Sequence, residues 1–588
     1  MVIGGIDREE TSKLKRKAER EEANLKLMKK QKTNESIQAF SAKSAEDNTD
    51  SDTDTVDEYL PESVKTTPKP DRQCQKMTIS LPSLAKACDR TGVSDRSAAI
   101  LATSVLNDLG VVSSIDRSKV IDRSKIRRER SKTREKLQQN DDQFDHTGIE
   151  GVFFDGRKDQ TLTQVLGVDN KYHRKTVTEE HISIIAEPGS SYFSHTTPPS
   201  GSSKDITESL VASLKERNAK TDNIKVVGCD GTNVNTGHKA GVIRRLEETF
   251  EHPLQWLVCL LHTNELPLRH LFEALDGATT SPRAFSGSIG KRLLTCSEQP
   301  VSSFEPVHLT EQLSNVDPKE LSTDQRYLLE MCNSISKGEC SVDLAMRNPG
   351  CLNHSRWLTT ANRILRLYVS DKKPSENLKT LVTFIIRVYA PMWFAIKVHS
   401  SCKDGARHIH QMLVKSRYLS PKHKKIVDPV IHRNAYFAHP ENMLLAMMTD
   451  HRPHTRELGL RRVMKARAAR PRGQIRRFKV PAKMNFDTVE YFDMIDWAVC
   501  PISEPPIIKA MTDAELREFI TLEVTPTVSF PKFPCHTQAV ERHVKLVTEA
   551  AKTVCGQKSR DGFILARVAS RQLMPTFESK RDFSHFSL

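Results

Sequence analysis

The stretch at 224–262, IKVVGCDGTNVNTGHKAGVIRRLEETFEHPLQWLVCLLH, sets the frame for the chain. Its apolar run at 224–229 reads as a strand buried on both faces, and it delivers Asp230 to the strand tip, where Gly231, Thr232 and Asn233 make a turn. From about Gly237 the helical spacing of Val242, Ile243, Leu246 and Phe250 predicts an amphipathic helix, and 254–261 predicts a second strand closed by Cys259 and His262. The unit is βαβ, and in open sheets of such units chemistry lies beyond the carboxyl ends of the strands.

Upstream, Gly151, Val152, Phe153 and Phe154 predict a short strand ending at Asp155, with two more strands at 181–187 and 191–195 in a meander. A helix at 205–217 carries Ile206, Leu210 and Leu214 on one face and leads back to the first stretch. The order is strand, strand, strand, helix, strand, helix, strand, which is that of a ribonuclease H-like α/β sheet. The first and fourth strands then lie side by side and parallel, which brings Asp155 to Asp230.

Beyond 262 strand signals fade. Helical patterns at 324–336, 358–369, 378–389 and 441–448 predict a large all-α insertion over 263–530. A last helix in 531–575 is capped by Thr537 and striped by Val540, Val544 and Val547, with Glu541 at the border of the stripe and Glu549 two turns on. A boundary Glu paired with Arg542 or Lys545 is the plain reading of Glu541; a third metal-binding carboxylate is the functional one. Before the sheet, 76–146 holds two short helices around Thr91-Gly92, the second capped by Ser94 and carrying Ile100, Leu101, Val105 and Leu109. That pattern suits a helix-turn-helix and equally a generic helical hairpin. A tandem DRSK leads from it into a basic helix or linker, either a solvated connector or a phosphate contact.

Composition narrows the class. At 588 residues, 28% charged and 37% hydrophobic, the chain has room for several domains with polar tails. Residues 1–75, first rich in Lys, Arg and Glu and then acidic, are expected to be a disordered tail, and 576–588 a second tail. The cluster Lys13, Lys15, Arg16 and Lys17 reads as a solvated helix or as a nuclear address. No run of eighteen apolar residues occurs, so no membrane span is expected, and the first residues lack the apolar segment of a secretory signal. Twelve cysteines without a CxxC pair outline neither a disulfide framework nor a zinc ribbon, and point to a reducing compartment. The net charge of +15 favours a polyanionic partner, nucleic acid ahead of an anionic membrane. Its densest segment, RRVMKARAARPRGQIRRFKV at 461–480, with Arg461, Arg462, Arg476 and Arg477, is either a solvated basic face or a DNA backbone track.

Taken together, these residues resemble the hAT superfamily of DNA transposases, or a gene derived from one. The resemblance covers about 147–575. It rests on Asp155 in FFDG, Asp230 in GCDGTNVN, Cys259 and His262 in CLLH, Arg356-Trp357 in NHSRWLTTANRIL, and Glu541 in AVERHV. It implies a ribonuclease H-like core split by the helical insertion, with Asp155, Asp230 and Glu541 as catalytic metal ligands for Mg²⁺ or Mn²⁺ and no small-molecule cofactor. It further implies DNA strand cleavage and transfer in the nucleus by a homo-oligomer, with Trp357 stacking on displaced bases beside Arg356. Cys259 and His262, two ligands short of a zinc site, would be structural or DNA-positioning. Two departures stand out. The family's zinc-binding BED finger has no counterpart, and Asp159 competes with Asp155 as first ligand, although the strand end favours Asp155. A domesticated, non-catalytic DNA- or protein-binding derivative is the alternative reading.

Overall fold

Strands β1 (Gly151–Leu166), β2 (Tyr172–Glu187), β3 (Ser191–Thr196), β4 (Val226–Cys229) and β5 (Gln255–Val258) form one mixed sheet in the order β3-β2-β1-β4-β5. β1–β2 and β2–β3 are antiparallel; β1–β4 and β4–β5 are parallel. The first and fourth strands are therefore neighbours, as the order of elements predicts. The computed structural model describes residues 79–573 except 143–146, 168–169, 280–283, 315, 353–356, 469–482, 501, 503, 510 and 522–531. The expected tails at 1–75 and 576–588, together with Arg356, Arg476 and Arg477, lie outside the described residues.

The centre of the sheet is covered on both faces, which explains its unbroken apolar strands. Side chains alternate: Val152, Phe154, Val227 and Cys229 enter one core with helices α4 (Ser203–Glu216) and α5 (Val242–Phe250). Phe153, Ile185, Val226 and Leu257 enter the other, shared with the helical region. Gly228 sits where this second core is tightest, since a Cβ there would lie 2.5 Å from the Phe153 ring.

Ahead of the sheet stand α1 (Pro82–Thr91), α2 (Asp95–Asp108), capped by the Ser94 hydroxyl accepting from Ser97 N, and α3 (Arg123–Asp142). After β5 come α6 (Leu260–Asp276), α7 (Thr323–Lys337), α8 (Trp357–Tyr368), α9 (Glu376–Val398), α10 (Gly405–Ser416), α11 (Pro421–Asn434), α12 (Pro440–Met448) and α13 (Pro453–Ala468), with long connections at 277–322 and 338–356 and short ones from α8 onward. The continuous α9 has the length and composition of a membrane span, yet most of it is buried among its neighbours. Finally α14 (Gln538–Thr553) returns to pack on β1 and β2, and α15 (Gln557–Leu573) packs on α1 and α3.

Several boundaries differ from expectation for local reasons. β1 does not end at Asp155: its pairing with β2 continues to Leu166, so both strands of the hairpin have 16 residues where 151–154 and 181–187 were expected. What ends near Asp155 is the buried part and the pairing with β4, which stops at Phe153. β5 stops at Val258 because Leu260 N bonds to Cys535 O instead of extending the ladder, so Cys259 becomes the N-cap of α6 and His262 falls in its first turn. α5 begins at Val242, since the Gly237–Gly241 turn closes on itself through Gly241 N to Gly237 O at 2.7 Å. On α2 the buried positions are Ala98 and Ala99, and Ile100, Leu101, Val105 and Leu109 face solvent.

Candidate active site

Asp230 leaves the tip of β4 in a turn of its own making. Its Oδ1 accepts from Thr232 N (3.1 Å), Thr232 Oγ1 (2.8 Å) and Asn235 Nδ2 (2.6 Å), which fixes the carboxylate and keeps Oδ2 clear of the turn. The end of α11 presses on this turn, because a Cβ on Gly231 would stand 2.8 Å from Asn434 Oδ1. Asp155 is held similarly, its Oδ1 accepting from Gly156 N at 2.8 Å. Gly156 is required there, as a Cβ would meet the His181 carbonyl oxygen at 2.7 Å.

Register brings the two acids to one edge. Gly151, Val152 and Phe153 pair in parallel with Val226, Val227 and Gly228, so two residues further along Asp155, still paired with β2, and Asp230, just past β4, stand at matching positions. Both charges act on the Cys229 thiol between them, whose pKa stands well above the usual range, first through burial and then through Asp230 and Asp155. The alternation that turns Phe153 and Val226 toward the helical region carries the two acids to that same face. α14 lies there too: Val540 shares the core of Phe153 and Val226, and Arg157 donates to Thr548 Oγ1 at 2.8 Å.

Glu541 occupies the first turn of α14, where the helix dipole favours an acid. Its Oε1 accepts from Thr537 Oγ1 at 3.1 Å, and Thr537 N donates to Cys259 Sγ at 3.4 Å. Cys259 thereby bolts the start of α14 to the end of β5. Burial pushes the Cys259 thiol up to about 12, with the Glu541 charge second, so it remains a neutral packing group. Burial also lowers the His262 pKa, against the opposing pull of Asp230 and Glu541, which both reach this imidazole.

Among the described residues no three His, Cys, Asp or Glu side chains group closely enough to cage an ion. Mg²⁺ needs no such cage: it binds through one or two carboxylates and fills its octahedron with water and substrate phosphate. Asp155 and Asp230, hard oxygen donors held from adjacent strands, suit that mode.

The other expected residues divide clearly. Asp159 is taken up by Lys552 (2.8 Å) and Arg157 (3.0 Å), anchoring the β1–β2 hairpin to α14; these cations hold its pKa below the usual value against the opposing effect of burial. Glu549 pairs with Arg567 at 2.8 Å between α14 and α15. Trp357 is 5% exposed and meets Phe272 edge-on at 5.5 Å, so it is a core residue with no open face for a base. Arg461 is exposed and pairs with Glu457, whereas the Arg462 guanidinium lies 3.9 Å over the Trp497 ring. Asn235 and Asn434, which carry no expectation in the sequence, hold the turn of Asp230, and Thr537, expected as a helix cap, sits at the N-cap with its hydroxyl donated to Glu541 instead of to the backbone. Only Asn235 left a legible signal, as the second Asn of GTNVN after a strand-end Asp. No protein-family model matches the chain, and no curated protein is detectably similar to it.

Proposed function

We propose that this chain is a ribonuclease H-like DNA phosphoryl transferase of the hAT transposase kind, cutting and joining DNA strands with Asp155, Asp230 and Glu541. The observation that carries the reading is that Asp155, two residues past the end of the β1–β4 pairing, and Asp230, at the tip of β4, stand at matching positions of one parallel register, with the helix bearing Glu541 packed on β1. Asp155 and Asp230 would hold the metal, and Glu541 would join them once substrate phosphate draws the groups together. Mg²⁺ or Mn²⁺ bound there supplies a nucleophile near neutral pH and neutralises charge on the attacking and leaving oxygens. Thr232 and Asn235 keep the Asp230 carboxylate aimed. The +15 net charge supports DNA as partner. Work in the nucleus and assembly with further copies of the chain belong to the same reading.

A second reading, a non-catalytic DNA- or protein-binding derivative, is favoured by the lack of any three-ligand group among the described residues and by the burial of Trp357. One assay separates them. The wild-type chain is expected to nick supercoiled DNA when Mg²⁺ is present and to stop on chelation, and Asp230→Asn is expected to lower the rate at least about a hundredfold while keeping its circular dichroism and melting temperature. Equal nicking by Asp230→Asn would overturn the catalytic reading, and absence of nicking by wild type would favour the second.

A further inference from the structure

The elbow between α11 and α12, residues 435–439, stands between two packed surfaces. On one side Ala435, Phe437 and Ala438 are buried in the core of the helical region, where Phe437 fits so closely that a Cβ on Gly405 would lie 2.1 Å from its ring. On the other side Asn434 and Tyr436 meet the loop that follows β4. The Asn434 amide donates to Val430 O at 2.8 Å, leaving its Oδ1 against Gly231, and its main-chain carbonyl accepts from Thr263 Oγ1 at 3.3 Å. At the far end of the loop Tyr436 donates its hydroxyl to Thr236 O at 3.5 Å, and its ring stacks on Trp256 with centroids 5.8 Å apart. Asn442 on α12 completes the grip. Its Nδ2 donates to Trp256 O (3.2 Å) on the edge strand β5 and to Tyr436 O (3.0 Å), and its Oδ1 accepts from Gln255 Nε2. Asn434 and Asn442 are both buried.

We propose that this elbow is a clamp on the Asp230 loop, and that Asn434 and Tyr436, both from the helical region, are positioning residues for Asp230. The bonds from Thr232 and Asn235 to the carboxylate lie within one short segment, and Thr232, Asn233 and Val234 are exposed. A segment of that kind opens locally unless something outside it holds it shut. The elbow meets it near both ends, at Gly231 and at Thr236, and is itself rooted in a close-packed core that yields little. For the loop to swing outward with the elbow, buried amides at Asn434 and Asn442 would lose their bonds, which is costly away from water. The helical region thereby sets how firmly Asp230 is held, although it supplies neither aspartate. That Asp230 seats a cation rests on the proposed function; the grip of the elbow on the loop does not.

Hydrogen exchange of the full chain, followed by mass spectrometry in peptides covering 230–237, tests the clamp without any metal. Asn434→Ala is expected to speed exchange there about tenfold, and Tyr436→Phe, which removes one hydroxyl, about threefold. The comparison is Asn362→Ala, which removes another buried amide, one that holds Asp324 O and Pro349 O instead of the loop. It is expected to lower the melting temperature and to leave loop exchange as in wild type. Unchanged exchange in either elbow variant, or equal acceleration by Asn362→Ala, would overturn the clamp; if Asn434→Ala does not fold, Tyr436→Phe decides alone. Mn²⁺ uptake by the same proteins then reads positioning. Asn434→Ala is expected to weaken it about tenfold, as the loss of an outer support for a metal ligand does, and Asn362→Ala to leave it unchanged. A loosened loop with undiminished uptake would overturn the positioning role. A wild type that takes up no Mn²⁺ would remove the catalytic reading and the positioning role with it, while loop exchange would still decide the clamp.

Discussion

Trp357 carries the sharpest difference between a motif and its place in the fold. The Arg-Trp pair resembles a base-stacking device, yet the indole is packed against Phe272 within the core that joins α6 to α8. Trp357→Ala should therefore cost about 3–5 kcal/mol of stability, read by urea denaturation, with any loss of DNA affinity following the unfolded fraction. A variant of unchanged stability that binds DNA poorly would return the residue to a stacking role. Asp155 and Asp230 were legible because each follows a short apolar run and precedes Gly. Asn434 was not, nor was the bond from Thr537 to Cys259, because these contacts cross the helical region and no local pattern records them.

At the scale of elements, Glu247 ties α5 to β5. It is fully buried and accepts from Leu254 N (3.0 Å) and Trp256 Nε1 (3.0 Å), with Arg244 beside it. Burial pushes its carboxyl up to about 7. An acid raised above its unfolded value binds its proton more tightly when folded, so the stabilisation is complete below about pH 4.5 and fades as pH rises through 7. Relative to Glu247→Gln, the wild type should lose on the order of 2–3 kcal/mol between pH 5 and 8, seen in melting temperatures taken across that range. Parallel pH profiles for the two proteins would contradict this. Elements of this kind, with apolar runs or 3.6-residue spacing, were read from sequence to within a few residues: Ser203–Glu216, Thr323–Lys337 and Pro440–Met448 all fall where the pattern put them. The hairpin beyond Asp155 was missed because its polar, two-sided alternation from Gly156 to Leu166 buries almost nothing and so leaves no hydrophobic period to detect.

For the whole molecule, two dockings decide whether the parts act together. Helices α1–α3 are fastened by Asp89, 1% exposed, which holds Arg130 and Arg134, and α3 in turn packs on α15. Asp89→Ala leaves two arginines without their buried acid and should cost about 3–5 kcal/mol, releasing the segment ahead of the sheet to limited proteolysis. Resistance equal to wild type would show that the docking does not rest on this cluster. The second docking seats α14 on β1 and β2 and carries Glu541 to the face shared by Asp155 and Asp230. Whether those two aspartates make one cation seat is the claim on which the catalytic reading depends. Mn²⁺ titration followed by electron paramagnetic resonance tests it directly, because bound Mn²⁺ leaves the free-ion signal. Wild type is expected to take up Mn²⁺, Asp155→Asn and Asp230→Asn each to weaken uptake at least about tenfold, and the double variant to be little worse than either. Uptake unchanged in both single variants, or none by the wild type, would contradict it.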